Sequence, residues 1–142
     1  EKLIAFGRAL PSIRRKVRAD LGRAGVPREK VLAAVVQLLD RTALRIGNSE
    51  YARSNGSYGL TTLLNRHVEI AGGKIKLRFR GKSGIWQERW VNDARLARIV
   101  LRCRELPGQE LFQYLSADGR LHAVGSREVN GYLRRAAGGE LI

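Results

Sequence analysis

A chain of 142 residues with 27 Lys+Arg against 13 Asp+Glu, a net charge of +14, has the length of one domain, and at 44% hydrophobic it is too apolar for a disordered basic tail. A single cysteine, Cys103, excludes a disulfide scaffold, and two histidines with that one cysteine, all widely separated, exclude a zinc cluster of the usual spacing. No apolar run reaches the roughly 18 residues that span a bilayer, and no apolar stretch behind a basic start marks a signal peptide, so the excess of cations points first to nucleic acid and second to an anionic membrane surface.

Leu3, Ile4, Phe6 and Leu10 are apolar with no turn signal before them and read as the end of a preceding element. Ser12 then suits the N-cap of a helix whose inner face is Ile13, Val17, Leu21 and Ala24, and Gly25 closes it. A second helix is expected from Pro27 to Ile46. Leu32, Val35, Val36, Leu39, Ala43 and Ile46 recur at helical spacing and other apolar residues lie off that stripe, so the helix is buried, with Gly47 just past its end. This puts Arg45 in its last turn.

After the polar stretch 48–59 the period changes to two. Val68 to Ile70 reads as a strand, and Lys74–Arg80 alternates strictly, with Ile75, Leu77 and Phe79 on one face and Lys74, Lys76, Arg78 and Arg80 on the other. Gly81-Lys82-Ser83-Gly84 is a turn and Ile85 to Val91 the returning strand, which gives a hairpin with Lys82 at its tip. Trp86 and Trp90 share a strand face and are expected in the core. A helix from Asp93 turns Leu96, Ile99, Val100, Cys103 and Leu106 inward and stops at Pro107-Gly108; Cys103 is a packing residue there. Gly119 marks a turn, and Ser126 is expected to cap a last helix bearing Val129, Tyr132 and Leu133, with Tyr132 in the core. The fold class is α+β: helices around a small antiparallel sheet of about three strands.

Two residues invite chemistry. An arginine at a helix end can grip a phosphate bidentately, or simply complement the helix dipole. A lysine between glycines at a hairpin tip can enter a groove, or be an ordinary solvated turn residue. The basic face of Lys74–Arg80 is equally open, either a phosphate-tracking edge or a solvated sheet face. Asn48 and Arg53 could reach backbone or base edges.

Taken together, Arg45-Ile46-Gly47-Asn48, then Tyr51, then Tyr58-Gly59-Leu60-Thr61-Thr62-Leu63, then the basic strand ending in Gly81-Lys82-Ser83-Gly84, resemble the type IB DNA topoisomerases, and among them the small poxvirus-like bacterial branch. The likeness extends through Gly108–Tyr114 and covers the chain from about Phe6 to Gly138. It implies an enzyme that breaks one strand of duplex DNA by attack of a tyrosine on a backbone phosphate. A 3′-phosphotyrosyl bond forms, the other end rotates, and the strand is rejoined with no ATP and no metal. Arg45 matches the first catalytic arginine and Lys82 the lysine that protonates the leaving 5′-oxygen. Tyr51 matches a DNA-contacting position, and Asn48, Arg53, Arg78 and Arg80 are further candidate DNA contacts.

The family's second arginine, its histidine and its nucleophilic tyrosine would follow Ile142, and its small DNA-clamping domain would precede Glu1. The chain is therefore expected to be the N-terminal part of the catalytic domain, inactive alone. Tyr114, Tyr132, His67 and His122 do not stand in the contexts of the missing groups. The resemblance further implies a monomer in the bacterial cytoplasm, associated with the nucleoid, with no cofactor and no membrane partner; association through surfaces left bare around Phe6 and the last helix is the alternative to a monomer. A tyrosine-recombinase-type catalytic fragment and a non-enzymatic basic nucleic-acid-binding module are the rival readings.

Overall fold

A computed structural model describes residues 2–48, 52 and 54–138, with side chains from Ala9 onward. Its elements are α1 (Lys2–Leu21), α2 (Arg28–Thr42), β1 (Val68–Ala71), β2 (Lys74–Arg80), β3 (Trp86–Asn92), α3 (Ala94–Arg104), β4 (Gln113–Leu115), β5 (Leu121–Ala123) and α4 (Ser126–Ala136). The expected α+β class is what is found, with one addition: β4 and β5 pair as a second, two-stranded antiparallel sheet around the turn at Gly119. No helix among the described residues is long and apolar enough to cross a membrane.

α2 is the hub. Val31, Leu32, Ala33, Ala34, Val35 and Leu38 are wholly buried, and the helix touches α1, α3, α4, β3 and β4. An apolar surface nearly all round can only be satisfied by neighbours on every side. The helix stops earlier than its apolar pattern suggests. It ends at Thr42, and Ala43 turns left-handed at φ 57°, its N–H donating to the Leu39 carbonyl. The Thr42 hydroxyl donates to Leu38 O at 2.6 Å and accepts from Leu44 N at 3.3 Å, which ties off the last turn. Arg45 is therefore not in the last helical turn but in the loop beyond it, and Gly47 is not the helix terminator.

α1 departs in the other direction. It runs through Pro11 rather than starting at Ser12. Proline's φ suits a helix, and the helical bond it forgoes is outweighed by burial of Ala9, Ile13, Val17 and Leu21 along one stripe. Ser12 caps nothing; its hydroxyl donates to the Ala136 carbonyl of α4 at 2.7 Å. At α4, likewise, Ser126 is the first helical residue and Gly125 occupies the cap position, its N–H donating to the Glu128 carboxylate at 3.2 Å.

The larger sheet has the order β1-β2-β3, all antiparallel, with Ile75, Leu77 and Phe79 of β2 buried against the helices. The tryptophans are not in the core. Register pairs Trp86 with Arg80 and Trp90 with Lys76, so period two places both indoles on the outer face, 58% and 62% exposed. α3 follows as expected, with the Asp93 carboxylate accepting the Leu96 N–H at its start. Cys103 is fully buried, and burial pushes its thiol up to about 12.

Tyr132 is in the core as expected, and its hydroxyl donates to Asp20 Oδ2 at 2.7 Å. Asp20, only 2% exposed, also accepts from Lys16 and Arg23 at 2.9 Å. Burial pushes this carboxyl up, but those hydrogen bonds outweigh it, and its pKa lies below the ordinary 3.8. Asp20 thus contributes stability that is fully present above pH 3.8 and is lost as pH falls through the lowered folded value. Tyr132→Phe should cost about 1–2 kcal/mol at neutral pH by withdrawing one donor from a buried carboxylate. Urea unfolding at pH 7 and pH 3 checks this: the gap between variant and wild type should narrow at the lower pH.

Candidate functional site

The loop after α2 is held by backbone. Leu60 N donates to Arg45 O at 2.9 Å, and Thr61 N and Oγ1 both donate to Ile46 O, at 2.7 and 2.8 Å. Two residues before Leu60, Tyr58 N donates to Arg80 O at 2.7 Å, at the end of β2. The segment 58–61 thus clamps the Arg45 loop to the strand that leads into the Lys82 turn. The crossing is very close. A Cβ on Gly59 would lie 2.5 Å from the Cα and N of Gly47 and 2.8 Å from Arg45 O. Gly47 itself turns at φ +106°, a conformation that only glycine adopts readily. The two glycines therefore exist for one contact.

At the hairpin tip, Gly81 N donates to Ile85 O at 2.8 Å and Gly84 N to Gly81 O at 3.1 Å, closing a single 3₁₀ turn over Lys82–Gly84. Ser83 is left-handed at φ 63°, an unusual conformation for a residue with a side chain. The turn leaves Lys82 exposed on the same side as Arg45.

Arg45 and Lys82 line one open cleft of about 550 Å³ together with Gly47, Asn48, Ser54, Asn55, Ser57, Tyr58 and Gly59. A second cleft of about 410 Å³ is also lined by Arg45, Tyr58 and Lys82, with Leu44, Gly81 and Arg89 among its other walls. Arg45 and Lys82 are exposed, and among the described residues neither carries an ion pair. Two uncompensated cations on rigid backbone facing one opening make an anion site. Asn48 is in this wall. Arg78 and Arg80 sit on the outer face of β2, beside it rather than in it. Tyr51 and Arg53 lie outside the described residues.

Two wall residues, Tyr58 and Arg89, and one neighbour, Arg66, carried no assignment from sequence. Tyr58 lines both clefts, and its ring packs 4.6 Å from that of His67. Its place within the 58–63 motif was the available signal. Arg89 reaches the end of α2, its Nε donating to Thr42 O at 3.4 Å. Its signal is an arginine at an inward strand position, in phase with Val91. Arg66 donates to the Tyr58 hydroxyl at 3.5 Å, and nothing in the local pattern marks it.

His67 is an ordinary structural residue, as expected. Its Nδ1 accepts the Leu64 N–H at 2.9 Å, which requires that nitrogen unprotonated. Burial, and then the charge of Arg66, lowers its pKa from 6.5 to about 4. His122 is exposed and stacks on Tyr114 at 5.1 Å in the fold's second sheet, and it lines neither cleft.

Two tests of this positioning follow. Gly59→Ala should lower Tm by roughly 5–10 °C, because only backbone atoms can yield to the new methyl. Gly22→Ala, which meets only Ala19 O at 3.5 Å, is the control and should leave Tm within about 2 °C. Folding with neutral His67 is disfavoured wherever the unfolded chain takes up the proton first, so stability should decline as pH falls from about 6.5 to about 4. His67→Phe should flatten that part of a thermal-stability pH profile while losing stability at pH 7.

Comparison with known proteins identifies the architecture. Residues 1–141 match the model of the eukaryotic DNA topoisomerase I catalytic core. The chain is 28% identical over 144 residues to the DNA topoisomerase 1B of Acanthamoeba polyphaga mimivirus, an alignment covering 99% of this chain and 43% of the viral protein. It is 34% identical over 76 residues to the DNA topoisomerase 1B of vaccinia virus (strain Copenhagen) and to the DNA topoisomerase I of monkeypox virus, in each case 51% of this chain and 24% of the relative. The chain therefore spans less than half the length of these relatives. All three are viral, and the expected bacterial source rests on the sequence resemblance alone. The match over almost the whole chain places it in the eukaryotic DNA topoisomerase I catalytic-core family.

Proposed function

We propose that the chain is part of a type IB DNA topoisomerase and supplies two of its catalytic groups, Arg45 and Lys82. The observation that carries this reading is their convergence on one cleft through the 58–61 clamp, with no carboxylate paired to either among the described residues. The substrate is duplex DNA. A tyrosine elsewhere in the protein attacks the scissile phosphorus, its oxygen loses the phenolic proton to solvent and forms the 3′-phosphotyrosyl bond, and the bond to the 5′-oxygen breaks. Arg45 holds a non-bridging oxygen and balances the charge that accumulates on it in the transition state. Lys82 delivers its Nζ proton to the departing 5′-oxygen, which leaves as a hydroxyl. The phosphodiester energy is retained in the tyrosyl ester, so religation is the reverse of the same step and needs no nucleotide. Charge balance from arginine and lysine takes the place of a divalent ion.

Asn48, Tyr51, Arg53, Arg78 and Arg80 are the residues we assign to DNA contact around this centre. The second arginine, the histidine and the nucleophile belong, in this reading, to the remainder of the protein, which acts as a monomer in the bacterial cytoplasm. The 142 residues alone should not relax supercoiled plasmid.

The test is single-turnover strand cleavage by the whole protein. Arg45→Ala and Lys82→Ala should each slow cleavage by about 10²-fold or more, while duplex affinity changes by no more than a few-fold. Cleavage of wild type should persist in EDTA. Equal losses of affinity and rate would instead mark the two residues as ordinary members of a basic binding surface.

A further inference from the structure

The chain's two tryptophans, Trp86 and Trp90, stand on the outer face of a sheet whose other face is core, more than half exposed. Leaving two indoles in water is costly, and the face around them is not random. The Arg78 guanidinium lies 4.7 Å from the ring of Trp86 and the Lys76 ammonium 5.1 Å from that of Trp90. Lys76 shares two loose pairs, with Glu69 and Glu88, both at 3.9 Å, whereas Lys74, Arg78 and Arg80 carry no carboxylate partner among the described residues. At the Trp86 end the face opens into a cleft of about 370 Å³ lined by Arg66, Arg78 and Arg80 with Tyr58 and His67: three guanidiniums and no carboxylate.

We propose that this sheet face binds single-stranded DNA, with a phosphate in the arginine cleft and bases stacked on Trp86 and Trp90. Charge complementarity calls for a polyanion, and exposed indoles between cations call for one whose bases are free to stack. A duplex meets the first demand and not the second, because its bases are already stacked on each other. The two tryptophans are four residues apart on one strand, ~13 Å, a gap that a flexible single strand can bridge while seating a base at each end. Tyr58 lines both this cleft and the Arg45–Lys82 cleft, so a strand leaving the latter has a continuous path onto the sheet. The inference does not depend on the catalytic roles of Arg45 and Lys82, since neither tryptophan lines their clefts.

The test is binding of fluorescently labelled oligo(dT), and of a duplex of the same length, to the whole protein. In the Trp86→Ala/Trp90→Ala variant, oligo(dT) affinity should fall about thirtyfold or more, while duplex affinity stays within twofold and so also reports that the variant is folded. Trp86→Phe/Trp90→Phe, which keeps aromatic planes, should restore most of the loss. Unchanged oligo(dT) affinity in the alanine variant would overturn the proposal, as would equal losses on both ligands. So would wild-type protein that does not bind oligo(dT), which would mean that another part of the protein or a protein partner covers the face.

Discussion

Three backbone hydrogen bonds, with a fourth bond from the Thr61 hydroxyl, tie three distant pieces of chain together: the loop after α2, the 58–61 segment and the end of β2. The proposed catalytic roles of Arg45 and Lys82 hang on that junction. Arg45 belongs to no helix and Lys82 to a one-turn loop, so neither position is fixed by regular secondary structure. Their relative placement comes instead from a chain crossing so tight that Gly59 has no room for a methyl group and Gly47 must turn left-handed beneath it. Backbone hydrogen bonds are well suited to this, because they hold the chain without using up the side chains. Behind the junction lies the apolar bulk of α2 and the inner face of β2, which make the scaffold stiff enough for the clamp to act on.

The ion pairs are distributed in a way that serves the same end. Asp20, Glu29, Asp40, Asp93 and Glu128 neutralise Arg14, Lys16, Arg23, Arg28, Arg41 and Arg135 on the helices and at the start of α3. Around the clefts and on most of the outer sheet face, cations are left without carboxylates among the described residues. The clefts and that sheet face thereby keep a positive potential of their own. Most of the exposed pairs contribute little to stability. The Asp20 cluster is different, because its carboxylate is buried and one of its three donors, Tyr132, joins α1 to α4.

Much of this was legible in the sequence, for physical reasons. β2 could be read to the residue because strict alternation allows only one register between a core and water, and a helix could be read from Asp93 because that position follows a strand and precedes an apolar helical stripe. Tyr132 and Cys103 fell on apolar faces and are buried there. The errors share a cause: local pattern yields to tertiary contact. The apolar stripe continues past Thr42 because Leu44 and Ile46 pack against the core from a loop, so hydrophobic periodicity overran the true end of α2. Ser12 read as the start of a helix, yet packing against α2 and α4 carries α1 through Pro11 ahead of it. Trp86 and Trp90 were assigned to the core on their apolar character, whereas their phase with Arg80 and Lys76 across the hairpin already places them outside. The clefts themselves were not legible, since they are made by a backbone crossing between segments whose only sequence mark is a pair of glycines. Family resemblance supplied Arg45 and Lys82; periodicity alone left both open.

The proposal that Lys82 is a proton donor held at a shared cleft, rather than one more positive charge, is best tested with a substrate whose leaving 5′-oxygen is replaced by sulfur. A thiolate departs without being protonated, because a thiol is far more acidic than an alcohol. Single-turnover cleavage of such a strand by the whole protein should be nearly as fast in Lys82→Ala as in wild type, while Arg45→Ala remains slow, since charge on the non-bridging oxygens still needs balancing. If the sulfur substrate leaves Lys82→Ala as impaired as the natural one does, Lys82 is not the proton donor.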